Sequence, residues 1–157
     1  MMGAYSIRSG QTSYTGSREE ILSEAEQAAE RAVQLQDGNA LAHLALAPIL
    51  QLKGQPEAGI LECETATRLN PNLALAHNEL GFILFNFGRL EESVESFDRA
   101  IRLSPNDPSR WNFFLIRGFA LTCLEQFDQA IESLLEATRL RSSAFWPFLG
   151  LAAAYCG

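Results

Sequence analysis

Apolar and polar positions recur with a helical period along most of this chain, and the predicted helices come in pairs. From Ala74 onward, His77, Leu80, Gly81 and Leu84 fall on one helical face. A turn is predicted at Asn86 to Arg89. Ser93, Phe97 and Ala100 then recur at i, i+4 and i+7 on one face of a second helix. Pro105 and Asn106 close the pair, because proline cannot continue a helix. The same plan runs upstream: His43, Leu46, Ala47 and Leu50, then Gly54 at a turn. Pro56 suits the opening turn of the next helix; Gly59, Cys63 and Ala66 follow, and Pro71 closes.

These pairs repeat. "ALAHLALA" begins at Ala40 and "ALAHNELG" at Ala74, a period of 34 residues. "RLNPN" at Arg68 and "RLSPND" at Arg102 keep that period, and "RLRSS" follows at Arg139. The chain divides into a half unit over 17–39, units over 40–73, 74–107 and 108–144, and a truncated unit over 145–157. In the half unit, Ser17 followed by Glu20 reads as a capping box opening a helix to about Gln36. Gly118, Leu121, Ala130, Leu134 and Ala137 carry the third unit, and Phe145, Phe148, Leu151, Ala152 and Tyr155 begin the fourth. Small residues align between units: Ala25, Gly59, Ser93 and Ala130 at one place, Ala32, Ala66, Ala100 and Ala137 at another. Larger side chains there would push helices beyond the usual spacing of about 8–10 Å.

The period and the residues Leu80, Gly81, Phe97, Ala100 and Pro105, with their equivalents, resemble the tetratricopeptide repeat, a 34-residue helix–turn–helix. The resemblance covers roughly Ser17 to Gly157 and implies an all-α chain, a superhelical solenoid of antiparallel helical hairpins. It also implies that the first helix of each unit lines a concave groove for a protein or peptide partner. On that basis the groove is expected to present Leu44, Asn78, Phe82, Phe85, Asn86, Asn112, Ile116, Arg117 and Phe119, with Leu41, Ala45, Gln51, Leu75, Glu79 and Leu115 beside them. The alternative for Phe82, Phe85 and Phe119 is packing between first helices of adjacent units, and both readings stand on the sequence. The basic residues with which one family subset grips acidic C-terminal tails are missing, so a hydrophobic helix or segment is the better ligand.

Three departures from the pattern matter. Pro48 sits mid-helix, where it removes one backbone bond and is expected to kink the helix. Pro108, Ser109 and Arg110 are an insertion of nearly one helical turn, which predicts a longer first helix in the third unit. It leaves two registers for Arg117, one at a core leucine position, so a partner acid or a groove position is expected for it. Residues 1–16, rich in Ser, Gly, Thr and Tyr, read as a flexible tail, a leader or the remains of a less regular helix.

Charge and chemistry narrow the function. The 157 residues carry 19 acidic and 12 basic side chains, a net charge of −7, against the clustered cations that nucleic acid requires. Cys63, Cys123 and Cys156 stand singly and form neither a disulfide framework nor a zinc site; they suit a reducing, cytoplasmic setting. The longest apolar stretch, Ala40 to Leu52, is too short to cross a bilayer, and the N-terminus has no apolar signal core. His43 and His77 occupy equivalent places, but two histidines without a third ligand make a poor metal site. Glu91, Glu92 and Glu95 read as a solvated outer stripe, and Trp111 and Trp146 as interhelical fillers. No phosphate loop, nucleophile elbow or acid–base set appears, so no cofactor and no catalysis are expected of this chain.

The apolar truncated unit suggests a longer parent protein, and self-association through that end or the groove. The runs "RLSPNDPSRW" and "AHNELGFILFNFGRLEESVESFDRAIRLSPNDP" are similar to the tetratricopeptide tails of bacterial class III adenylate cyclases. That likeness implies a signal-transduction role, in which a cyclase domain precedes the tail and the tail senses or recruits a partner. Similar tails occur on winged-helix regulators and on free-standing proteins.

Overall fold

The computed structural model describes residues 17–157 and, before them, only the backbone of two short strands, β1 (Ile7–Arg8) and β2 (Gln11–Thr12), paired antiparallel. The expected tail over 1–16 otherwise lies outside the described residues. The rest is helical: α1 (Arg18–Leu35), α2 (Ala40–Leu52), α3 (Pro56–Leu69), α4 (Ala74–Phe87), α5 (Leu90–Leu103), α6 (Arg110–Cys123), α7 (Phe127–Leu140) and α8 (Trp146–Cys156).

Local chemistry sets the ends of these helices. Ser17 caps α1: its hydroxyl accepts from the Glu20 amide at 3.2 Å, and the Glu20 carboxylate accepts from the Ser17 amide at 2.9 Å. The Asn39 side chain caps α2 by accepting from the Leu41 amide at 3.0 Å. Helix α2 passes through Pro48 and ends at Leu52. Within the hairpins the turn needs one left-handed residue, supplied by Gly54 (φ 77°), Gly88 (φ 83°) and, against the usual preference, Glu125 (φ 58°).

The hairpins α2/α3, α4/α5 and α6/α7 are the most intimate pairs, and each packs on the next; α1 leans on α2 and α8 on α6 and α7. Helix α2 also touches α4, α4 touches α6 and α6 touches α8, whereas α1, α3, α5 and α7 do not touch one another. The first helices are therefore crowded together and the second helices splayed apart. The stack is curved, with α2, α4, α6 and α8 on its concave side.

The core runs along the stack as linked clusters rather than one centre. Ala66, Ala100 and Ala137 are fully buried where successive helices meet, as are Ser93 and Ala130; Gly59 is buried too. The Ser93 hydroxyl donates to the Gly81 carbonyl at 2.8 Å, joining α5 to α4.

The insertion before α6 does not lengthen the helix as expected: α4 and α6 both have 14 residues. Pro108 and Ser109 widen the preceding turn instead, and Arg110 opens α6; in that turn the Asp107 carboxylate accepts from the Ser109 amide at 2.7 Å. The residue before a proline is biased away from helical geometry, which keeps Asp107 out of the helix.

Candidate partner-binding groove

The concave face is built from side chains that the hairpins leave over. On α4, His77, Leu80, Gly81 and Leu84 turn toward the hairpin interior, which leaves Leu75, Asn78, Phe82, Phe85 and Asn86 on the other side. Leu75 is 53% exposed and Phe82 38%; Phe85 and Asn78 are half-buried and Asn86 is exposed. On α2, Leu41 is 57% exposed and Leu52 56%. Leu52 was not among the expected residues, although the period places it level with Asn86. On α6, Asn112 is half-buried.

Four expected groove residues are placed otherwise. Leu44 is buried in the core with Ala47, Ile60 and Cys63, and Leu115 is buried among α6, α7 and α8. Ile116 is half-buried between two core clusters, one containing Phe97. Phe119 lies in the α6/α8 seam, its ring edge against Gly150, so for this residue the packing alternative holds. The reason is common to all: the neighbouring unit covers that side of the first helix.

Arg117 is also turned away from the groove. Its Nε donates to Asp98 Oδ1 of α5 at 2.7 Å and its Nη1 donates to the Ser133 hydroxyl of α7. It occupies the core position held by Leu46 and Leu80 in the other units, the register counted from Trp111. Trp111 is half-buried beneath the Arg141 guanidinium, 4.7 Å from its ring centroid. Trp146 is not an interhelical filler: it is 57% exposed, beside Phe145, on the open side of α8.

The histidines hold loops. Nε2 of His77 lies 3.0 Å from the Pro71 carbonyl, and Nε2 of His43 lies 2.8 Å from the Asp37 carbonyl. The other ring nitrogen of His43 lies 2.6 Å from Glu62 Oε2, so both nitrogens face acceptors. Burial alone would lower its pKa, but the Glu62 carboxylate and the Asp37 carbonyl outweigh that and raise it. Among the described residues no group of three or more His, Cys, Asp or Glu is placed to hold a metal. Nor is any described helix long and apolar enough to cross a membrane. Glu91, Glu92 and Glu95 are exposed, and Glu92 pairs with Arg89.

Burial also acts on two further groups, Cys63 of α3 and Glu79 of α4. It pushes the Cys63 thiol pKa up, with the nearby Glu79 carboxylate adding to the effect, and it raises the carboxyl of Glu79 itself.

Stacked antiparallel hairpins with an apolar concave face define an all-α solenoid of the tetratricopeptide-repeat type. Residues 74–107 match the family model described as tetratricopeptide repeat. Among solved structures, MamA is similar at a TM-score of 0.79 and 19% identity, over 88% of this chain and 80% of that one. YrrB, described as a protein of this repeat class with an unusual peptide-binding site, is similar at a TM-score of 0.71 and 24% identity, over 83% of this chain and 66% of that one. The first repeat domain of Spaghetti, bound to an HSP90 peptide of sequence SRMEEVD, is similar at 0.70 and 14%, over 75% and 91%. No curated protein matches the sequence.

Proposed function

We propose that this chain is a protein-interaction scaffold that seats an apolar segment of a partner protein along the concave face of α2, α4 and α6. The observation that carries the reading is the row of exposed apolar side chains on that face, Leu41, Leu52, Leu75 and Phe82, interleaved with the amides Asn78 and Asn86. Water-exposed aromatic and leucine side chains flanked by amides suit an apolar ligand that also needs backbone hydrogen bonds. Peptide binding by YrrB and Spaghetti supports the same use here. The HSP90 peptide is acidic, however, and this groove offers no free basic side chain among the described residues of its first helices.

The test is selection of binders from a displayed library of random peptides, followed by affinity measurement. A Phe82→Ala, Phe85→Ala double variant is expected to weaken the selected peptides at least tenfold, on the scale of an interface anchor, with an unchanged sedimentation coefficient. Binding that survives the double change would move the site off this face.

A second reading is that this scaffold serves as the regulatory tail of a bacterial adenylate cyclase, favoured by the "RLSPNDPSRW" run across the widened turn before α6. An immunoblot of native lysate tests it. A band far above 17.3 kDa whose immunoprecipitate makes cyclic nucleotide would support the tail, and a band near 17.3 kDa would remove it. Self-association is favoured by the open face of α8, where Phe145, Trp146, Phe148, Leu149 and Tyr155 are exposed. A monomer by sedimentation equilibrium at high concentration would refute that reading.

A further inference from the structure

The concave helices are almost free of charge. Helices α2 and α8 contain no Asp, Glu, Lys or Arg, α4 contains only Glu79, and α6 only Arg110 and Arg117. Both arginines face second helices, although the buried Nε of Arg110 has no hydrogen-bond partner among the described residues. Arg117 binds Asp98 and Ser133; Arg110 lies 3.9 Å from Glu136 of α7 and 4.9 Å from the centroid of the Phe114 ring. Glu79 is the one acidic side chain on these helices. It forms no hydrogen bond or ion pair among the described residues, and burial alone perturbs it.

Its position gives this meaning. Glu79 lies on α4 one turn before Phe82 and two turns before Asn86, at the edge of the stripe that lines the groove, and it is half-buried. The equivalent places are Gly150 on α8, closed against Phe119 and Leu134, and Ile116 on α6, packed between two core clusters. The same place on α4 instead holds a half-buried carboxylate, neighboured along the helix by the exposed Leu75, Phe82 and Asn86. A carboxylate taken partly out of water without a cation is unfavourable, and a cation brought by a ligand relieves that cost.

We propose that Glu79 is the specificity-determining residue of the concave face, and that it selects a partner segment that is apolar except for one lysine or arginine seated on this carboxylate. The proposal rests on the groove reading above. Two features make the cation the fitting occupant: Glu79 is the one acidic side chain on α2, α4, α6 and α8, and the chain as a whole is acidic, at −7. A second carboxylate at this place would meet like charge in a desolvated seam.

The displayed-library selection tests both levels separately, with wild type, Glu79→Gln and the Phe82→Ala, Phe85→Ala variant as parallel baits. Glutamine keeps the shape and removes the charge, and circular dichroism melting of each bait establishes that it is folded. Wild type is expected to enrich peptides with a Lys or Arg at one fixed place among apolar residues. Changing that residue to Gln should weaken binding to wild type about tenfold, and to Glu79→Gln less than about twofold. Binders that need Phe82 and Phe85 but show no basic preference would overturn the role of Glu79 and leave the groove reading intact. Binders indifferent to Phe82 and Phe85, or no binders at all, would overturn the groove reading and the proposal with it.

Discussion

Adding one methyl group at Gly118 is expected to destabilise the α6/α7 hairpin. A Cβ there would lie 2.6 Å from Leu134 Cγ and 2.9 Å from its Cδ2. Leu134 is fully buried and Cγ is its branch atom, so the side chain cannot swing clear without moving the helix. Overpacking of this kind costs about 1–3 kcal/mol, and alanine regains about 1 kcal/mol of helix propensity over glycine. The contact is closer than at Gly81, where a Cβ would meet Phe97 at 3.0 Å, so the upper half of the range applies. A net loss of about 1–2 kcal/mol should lower the melting midpoint by about 2–8 °C. The first complete unit shows the compensation: Ala47 stands where Gly118 does, and it faces Cys63 rather than a leucine. In a double-mutant cycle, Leu134→Cys should therefore absorb the added methyl, with a coupling of about 1–3 kcal/mol. Urea titrations of the four proteins measure it. A Gly118→Ala protein as stable as wild type, or effects that add within about 0.3 kcal/mol, would refute the reasoning.

The remaining predictions concern charge, backbone and thiols. Arg117→Ala should cost about 1–3 kcal/mol, because Ser133 is left buried without this partner and Asp98 loses its cation, and Arg117→Leu, which removes the same partner but keeps the side-chain packing, should cost less than Arg117→Ala in the same urea assay. The pKa of His43 is raised above its ordinary 6.5, so its contribution is complete below that value and is lost as pH rises through the folded value. Wild type should accordingly lose more stability than His43→Gln between about pH 6 and pH 9, and equal losses would exclude a charged His43. Glu125→Gly should raise stability by about 0.5–1 kcal/mol, by placing glycine where Gly54 and Gly88 already turn the other hairpins; a lower melting midpoint would contradict this. A thiol reagent should modify the exposed Cys123 and Cys156 in the native protein and reach Cys63 only after denaturation.

Periodicity alone was enough for the solenoid and its small positions. Each helix must bury one face, and Ala66, Ala100 and Ala137 recur where neighbouring helices come closest, so the pattern is written in the residues themselves. The capping box at Ser17 and the turns at Gly54 and Gly88 are equally local, because each depends on atoms only a few residues apart. The groove was legible only in part. Leu44 and Leu75 are both leucines on first helices, yet one is core and the other lies open to solvent. What separates them is the neighbouring helix, and its approach depends on the curvature of the whole stack.

The pairing of Arg117 was beyond the sequence for a related reason. The insertion at Pro108 left two registers, and the choice follows from Gly118 meeting Leu134 at the hairpin crossing, which sends Arg117 to Asp98 and Ser133. The inserted residues could have extended α6 or widened a turn, and the Asp107 side chain holds Pro108 and Ser109 in the turn. What the sequence by itself determined is which faces are apolar and where the chain turns, because those follow from side chains and backbone preferences within a few residues. What only the tertiary structure decided is which apolar side chains remain uncovered and which charges remain unpaired, because each depends on helices brought together from distant parts of the chain.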